Sequence, residues 1–399
     1  ECEKKNSLKE KIMKRIMEKV SILALSFILT TSFSISSAQS AMFAYYKGIP
    51  HSMIELLVSL PSAGIMVSLI FNKWIGRLFS ERQMIVIGLV AYALCGFIPL
   101  ISPAYPVVFL SRIIFGMAVG LLNVSAIAII SERYKGKERV QTLGIRGSAE
   151  VVGTAVLTFG VSLLIRFGWQ AAFLVYGISI PILLLYLLFV PYSSKTVGVE
   201  EKHRNDQMTA GQWRTALGLA VVAASIVLSN VMITVRIPSV VEQVGHGTAQ
   251  TAGIMLAAMQ FVGILAGLAF SPLTQLFRDR LLLVSGVAYG LTQLLIGLST
   301  NLWMLAIVTI LAGFAYSVAL TTVYNVLSDK MPAGVLSQAT SMAVLGCSTG
   351  SIATTFVLSL LGTISSAPAF IFGFSGILMI LISFFGLWIV RKSGKTSCG

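Results

Sequence analysis

The sequence predicts an all-α membrane protein of twelve transmembrane helices in two six-helix bundles, and three observations carry that prediction. The first is composition: of 399 residues, 56% are hydrophobic and only 11% charged, with a mean hydropathy of +0.88. That much apolar surface cannot be hidden inside a water-soluble core, so lipid must be the solvent. The second is a recurrence of apolar stretches of about 18 to 25 residues, each long enough to cross a hydrocarbon core of about 30 Å as a helix. The third is internal repetition. LFSERQMIVIG ending at Gly88 returns as LFRDRLLLVSG ending at Gly286, and SERY from Ser131 returns as SDKM from Ser328. Gly116 with Gly313, Gln141 with Gln338 and Phe173 with Phe370 keep a spacing of 197 residues. Order and direction are preserved, which implies a parallel repeat about an axis along the membrane normal, a construction typical of transporters.

The spans are expected near 20–43, 54–72, 83–101, 105–130, 143–165 and 170–191 in the first half, then 215–238, 250–274, 281–299, 302–327, 337–361 and 368–390. Helices satisfy every backbone group within the segment, as lipid demands. Short connections make neighbouring helices antiparallel. The organisation is therefore a basic lead (1–19), an N-terminal bundle (20–191), a linker (192–214), a C-terminal bundle (215–390) and a tail (391–399). The linker, containing SSKTVGVEEKHRNDQ, is the most polar stretch between helices and has no apolar period. Lys19, the run VSILALSFIL and the small residues before Ala41 imitate a cleaved signal peptide. A retained helix is the better reading, because removal would leave eleven spans and break the pairing of the first with the seventh.

A net charge of +14 would suggest nucleic acid in a soluble protein, but the distribution says otherwise. Of 29 Lys and Arg, 24 fall in segments on one side, only Lys47 and Arg166 lie in loops on the other, and Arg112, Arg146 and Arg236 lie inside apolar stretches. This asymmetry places both termini in the cytoplasm, with the cell membrane (a bacterial plasma membrane) as the expected location. The basic lead suits anionic lipid headgroups, and no nucleic-acid partner is expected. The four cysteines and three histidines have no disulfide or metal-ligand spacing. No HExxH, phosphate-cradling GxxxxGK[ST] or GxSxG motif appears in a supporting context, so neither ATP hydrolysis nor proteolysis is predicted and no cofactor is expected.

Twelve helices, the six-plus-six repeat and the polar central loop resemble the major facilitator superfamily over nearly the whole chain. The loop NKWIGRLFSERQMIVIG occupies the place of that family's signature rich in Gly, Asp and Arg, here degenerate: Arg77 and Arg82 supply basic groups and Glu81 the acid. The resemblance implies a cytoplasmic latch there, with Arg278, Asp279 and Arg280 as the second-half copy. SRIIFGMAVG carries Arg112 followed four residues later by Gly116, similar to the family's intramembrane arginine pattern. In the fifth helix, Gly144 and Gly153 match the glycine spacing of proton-coupled drug exporters. Thr154 stands there for the proline, and Leu157 with Thr158 for the glycine pair. The run GWQAAF from Gly168 is again similar to the drug:proton antiporter-like branch. Glycines of the fifth helix also serve plain close packing of helices.

An ionisable residue in the bilayer core is costly and so usually has a reason. Five stand out: Glu55, Arg112, Arg146, Glu150 and Arg236. Glu55 has the spacing of a capping box with Ser52, and Arg236, near Pro238, can snorkel to headgroups. Glu150 lies about 10 Å inside the fifth helix. Burial favours the neutral form of a carboxyl, and a change of charge as the cavity switches sides is what proton carriage needs. Arg146, one turn away, can stabilise the carboxylate or pair with it structurally. Arg112 is too far along its own helix for direct contact with Glu150. It is expected to stabilise an unpaired carbonyl, bind an anionic substrate or tune a proton relay.

The resemblance implies that the first, fourth, seventh and tenth helices line the cavity. Its polar lining would then include Thr30, Thr31 and Ser34, Asn123, Asn230, and Tyr316, Thr321 and Tyr324, with Gln260, Met255 and Met259 of the eighth helix as an adaptable wall. Hydroxyls also bond back to their own helix, which is the plain alternative for any one of them. The expected function is a secondary transporter working by alternating access, moving a small amphipathic molecule by proton-coupled efflux. Its partners are substrate, protons and membrane lipid, and a monomer suffices. Uptake of a metabolite or small anion, or a transporter-like receptor, stays open.

Overall fold

The computed structural model describes residues 2–134, 136–190, 208–245 and 247–395, and every regular element among them is helical. In the first half, α1 (Cys2–Ser26), a 3-10 segment (Thr31–Ala38) and α2 (Gln39–Tyr45) form one span, and α3 (His51–Ser59) with α4 (Pro61–Leu78) the next. There follow α5 (Glu81–Ile101), α6 (Tyr105–Arg133), α7 (Gly136–Leu164) ending in a 3-10 turn, and a 3-10 segment (Ala171–Ile178) leading into α8 (Ser179–Phe189). The second half contains α9 (Ala210–Gly245), α10 (Ala249–Phe277), α11 (Leu281–Gly297), α12 (Leu302–Lys330), α13 (Ala333–Ile364) and α14 (Pro368–Lys395). Nine of the described spans are apolar and long enough to cross a membrane unbroken, two more are bent pairs, and the 17-residue α11 completes twelve.

Both bends have local causes. The first span turns by 51° between α1 and the 3-10 segment. Its sequence there is hydroxyl-rich, and Thr31 Oγ1 donates back to the Ile28 carbonyl (2.8 Å), competing with the helical ladder. The second span bends by 41° at Leu60, where Pro61 brings no N–H and opens α4 as its first residue.

Several boundaries differ from expectation. The lead is one continuous helix with the first span rather than a separate segment. Three of its charged residues make ion pairs with the end of α6 and the start of α7: Arg15 and Lys19 pair with Glu138 at 3.1 and 3.8 Å, and Glu18 pairs with Arg133. Met13, Ile16 and Val20 face outward. The fifth span starts at Gly136, earlier than 143, and α9 starts at Ala210, within the expected linker. The linker up to residue 207 and the tail beyond 395 lie outside the described residues.

Each half has its own core. One gathers Leu25, Ile28, Tyr92, Phe115, Phe173 and Tyr176, the other Leu219, Ile226, Tyr289, Ala312 and Phe372. The repeat is visible in backbone contacts. A Cβ at Gly153 of α7 would collide with the carbonyl of Phe27, and 197 residues on, a Cβ at Gly350 of α13 would collide with the carbonyl of Ala224. Gly116 lies in the same way against Pro61, and Gly313 against Met259. Such contacts put one helix backbone directly on another, which only a residue without a side chain permits.

The halves meet along a seam. Phe33 and Val58 of the first half pack with Val231, Met232, Val235 and Leu358 of the second. Ser59 and Thr355 share a hydrogen bond of 2.5 Å, Ser62 and Ser351 one of 2.7 Å, and Ser162 lies against Gly253. These contacts lie toward the face opposite the chain termini, here called the distal face, and the terminal face is the other.

Candidate functional site

The most chemically loaded place in the membrane region forms where α7 crosses the break in the first span. Gly153 lets α7 lie on the Phe27 carbonyl at the break itself. One residue on, Thr154 Oγ1 shares a 2.5 Å hydrogen bond with Thr30 Oγ1, and Thr30 also donates to the backbone carbonyl of Glu150 (3.2 Å). The substitution of threonine for the proline of the exporter pattern therefore has a visible consequence: it supplies the hydroxyl that ties α7 to the break.

The side chain of Glu150 pairs with Arg146 Nη2 at 2.7 Å, one helical turn away, and both are mostly shielded (19% and 14% exposed). Arg146 Nη2 also donates to Asn123 Oδ1 of α6 at 2.7 Å. Arginine, glutamate and asparagine thus form one connected group inside the first half. The arginine pairs with the carboxylate on its own helix and reaches Asn123 on α6, so only the Asn123 contact depends on how α6 and α7 lie together. From the second half, Tyr324 of α12 lies within electrostatic reach of Glu150, and its hydroxyl meets Cys347 Sγ of α13 at 3.8 Å. Tyr316, one face up the same helix, has its ring 6.0 Å from that of Tyr289.

The structure sorts the expected cavity residues into two groups. Thr30 and Thr321 are exposed, while Asn123, Gln260, Tyr316 and Tyr324 are partly buried. Thr30, Asn123 and Tyr324 gather around Glu150. Thr31 and Ser34, by contrast, are fully buried inside the first half: Thr31 bonds the Tyr92 hydroxyl at 2.6 Å, and Ser34 accepts from Thr158 at 3.2 Å. They face the bundle interior, where the 3-10 winding after the break places them. Asn230 is buried in α9, its Oδ1 without a partner. Met255 and Met259 belong to the core of the second half and do not form an open wall.

Arg112 sits elsewhere. It is completely buried among α5, α6 and the sixth span, with Nη2 donating to the Cys95 carbonyl at 3.1 Å. Its guanidinium carbon lies over the rings of Phe115, Phe173 and Tyr176 at 4.6, 4.9 and 5.3 Å. Of the roles expected for it, stabilising an unpaired carbonyl is the one built here. Holding an anionic substrate is not, because a residue with no exposed surface cannot meet cargo. Aromatic faces offset the cost of the buried cation.

The two turns expected to form a latch at the terminal face make contacts inside their own halves. Arg82 donates to the Val190 carbonyl at the end of α8 (3.4 Å), Glu81 is buried in the first turn of α5, and Arg77 is exposed at the end of α4. Arg278 takes a positive φ of 45° where α10 turns into the next helix, Arg280 is exposed, and the side chain of Asp279 lies outside the described residues.

The pair that sequence reasoning missed is Glu55 with Arg236. Glu55 does not cap its helix. Pro50 stands at the N-cap with no side-chain bond, and Glu55 points inward to Arg236 of the other half, Oε1 to Nη2 3.4 Å. Arg236 accordingly does not snorkel. Each was singled out as an intramembrane charge, and opposite sign at matching depth was the available signal.

The family model described as Major Facilitator Superfamily matches residues 20–249 and 217–397, nearly the whole chain in two passes. In fold, the chain is similar to a D-xylose–proton symporter (TM-score 0.77, 16% identity, covering 94% of this chain and 97% of that one). It is also similar to a peptide transporter of the POT group (0.76, 14%, 94% and 95%). A bacterial homologue of the lysosomal transporter Spinster, solved facing inward, scores 0.73 at 15% identity over 95% and 98% of the two chains. In sequence, 148 residues are 29% identical to a triacylglyceride transporter of Mycolicibacterium smegmatis; the match covers 36% of this chain and only 26% of that relative's length. By sequence model, by helical repeat and by fold, the chain belongs to the major facilitator superfamily, as a multi-pass membrane transporter and not an enzyme.

Proposed function

We propose that this protein moves a small amphipathic molecule across the cell membrane by alternating access, with efflux driven by protons, as in the drug:proton antiporter-like branch of the superfamily. The termini face the cytoplasm, in line with the placement of 24 of 29 Lys and Arg, so the distal face is the outside. The two six-helix halves, 20–191 and 215–390, rock about a site near the midplane. A single chain holds the whole pathway and works as a monomer.

The observation that carries the reading is the Arg146–Glu150–Asn123 group beside the break of the first span. Proton carriage needs a shielded carboxylate whose charge partner can turn away by side-chain rotation, and alternating access needs that carboxylate on a moving contact. Glu150 meets both needs: its backbone holds Thr30 at the break, and its side chain is poised between Arg146 and the second half. Substrate would meet Thr30, Asn123, Tyr324, Tyr316, Thr321 and Gln260, a mildly polar set with few charges. An amphipathic cargo suits that set, and a relative named as a triacylglyceride transporter favours the lipophilic end of the class. Arg112 supports the fold around the site and acts on protons only through it.

The test uses purified protein in liposomes containing a pH-sensitive dye, challenged with lipophilic cations, antibiotics, sugars and organic anions under an imposed proton gradient. Compound-dependent proton movement in the direction opposite to the cargo is expected. Replacing Glu150→Gln should cut proton-coupled flux to below about a tenth, in keeping with the usual weight of a positioned proton carrier. Cargo and protons moving together would favour the uptake reading instead, and full pH coupling in the variant would remove Glu150 from the mechanism.

A further inference from the structure

Arg146 Nη2 stands 2.7 Å from two oxygens at once, Oε1 of Glu150 on its own helix and Oδ1 of Asn123 on α6. The two contacts differ in kind. An N–H of that nitrogen points at Asn123 and makes a hydrogen bond, whereas Glu150 Oε1 is buried and finds no aligned donor among the described residues. The guanidinium thus offers Glu150 its charge and Asn123 its hydrogen. A guanidinium only donates, so the amide must turn its oxygen toward it, and chemistry fixes the orientation of Asn123.

Charge and hydrogen bonding act on a carboxyl group separately. Coulomb attraction favours the carboxylate over several ångströms without regard to angle, while a donor aimed at the oxygen favours it further and only when aligned. By accepting from Nη2, Asn123 draws the aligned donor away from Glu150. Few other groups act there. α10 and the 3-10 segment of the first span, both packed on α7, carry no acidic or basic residue. On α6, Arg112 is enclosed elsewhere with Tyr176 of the sixth span, and Arg133 pairs with Glu18. The other charges of α7 lie in its first turn, where Glu138 pairs with Arg15 and Lys19 of α1. From the second half, Tyr324 is in reach, its hydroxyl at Cys347.

We propose that Asn123 is a positioning residue for proton uptake at Glu150: it holds the Arg146 donor off the carboxylate, so that Oε1 stays open to a proton arriving from the cavity. On uptake a new O–H bond forms at Oε1. The guanidinium keeps all its own hydrogens and stays on Asn123, and no proton passes between them. On release the carboxylate is left beside the same charge as before. Asn123 never touches the proton and acts through Arg146. This role rests on the reading of Glu150 as the proton carrier.

The experiment titrates Glu150 in the full-length protein in liposomes, with no cargo present, through the infrared band of a protonated carboxyl group. Subtracting the spectrum of Glu150→Gln, made in each background, isolates that residue. Asn123→Leu keeps the size and removes the acceptor, so Nη2 turns its hydrogen to Glu150. The midpoint should then fall by about one pH unit, a tenfold loss of proton affinity. Asn123→Asp keeps the size and adds a second carboxylate on Arg146, and like charge should raise the midpoint by at least about one unit. The pH of half-maximal proton-coupled flux should move in the same two directions. Loss of packing does not produce opposite shifts, and if one variant fails to fold the sign in the other still decides. Equal midpoints, or a shift of both variants in one direction, with the band still removed by Glu150→Gln, would overturn the role of Asn123 and leave Glu150 as the carrier. If Glu150→Gln removes no titrating band between about pH 4 and 10, both readings fall.

Discussion

Positions 197 residues apart allow the two halves to be compared at the same point of the repeat. In the first half Tyr92 and Arg112 meet inside the bundle, and the arginine is wrapped by Phe115, Phe173 and Tyr176. At the equivalent positions the second half has Tyr289 and Thr309, with Gln293 in the place of Gly96 and Ala312 in the place of Phe115. All three polar side chains are fully buried there, and the Tyr289 hydroxyl, the Gln293 amide and the Thr309 hydroxyl find no hydrogen-bond partner among the described residues. The scaffold contacts, by contrast, are the same in both halves: Gly153 on Phe27 is matched by Gly350 on Ala224. The difference teaches that the repeat preserves how backbones touch while charge is free to diverge. Glu150 and Glu55, the acids of the membrane region, both lie in the first half, and the second answers with Arg236 alone.

The comparison can be broken by mutation. The largest effect is expected from Arg112→Ala, which removes a wholly buried side chain from its aromatic surround and orphans the Cys95 carbonyl. A loss of about 3 to 5 kcal/mol follows, read as a collapse of yield and of the midpoint of thermal unfolding in detergent. Next come Gly153→Ala and Gly350→Ala, each pressing a methyl group into a facing backbone carbonyl at a cost of about 1 to 3 kcal/mol. Equal losses would confirm that the contacts are equivalent. Gly147→Ala serves as the control, because a Cβ there meets nothing within 4 Å. A loss confined to one half would show that the shared spacing carries no shared load. The smallest effect is expected from Thr309→Val, which replaces an unpartnered buried hydroxyl by a methyl group of the same shape. Stability should stay within about 1 kcal/mol or rise, and a large loss would mean that Thr309 does for the second half what Arg112 does for the first.

Much of the fold was legible because lipid imposes simple rules. Length, hydropathy and the asymmetry of Lys and Arg depend on the chain alone, and the spans fell close to their expected limits, from Tyr105 at the start of the fourth to Pro368 at the start of the twelfth. Both bends have local causes in the chain, Pro61 and the hydroxyl-rich run after Ser26, but the seating of α7 against Phe27 through Gly153 is a contact between spans that only the fold shows. In the candidate site, the Arg146–Glu150 pair was legible from a spacing of four residues on one helix. Thr31 and Ser34 were not placed correctly, because a helical face assigned from sequence loses its phase once the helix winds into a 3-10 segment.

The sequence by itself determined the number of spans, the parallel repeat, the close-packing glycines and the short list of buried charges, since each is a property of local composition or of spacing within one segment. Only the tertiary structure decided what those charges do. Arg112 and Arg146 look alike as cations in neighbouring helices, yet one is closed in by rings, two of them from another span, and the other holds a carboxylate beside the break of the first span. Glu55 and Arg236 lie far apart in the chain and in separate halves, and each has an innocent local reading. Their pairing follows from how two six-helix bundles meet, a relation between surfaces that no periodicity within either segment encodes.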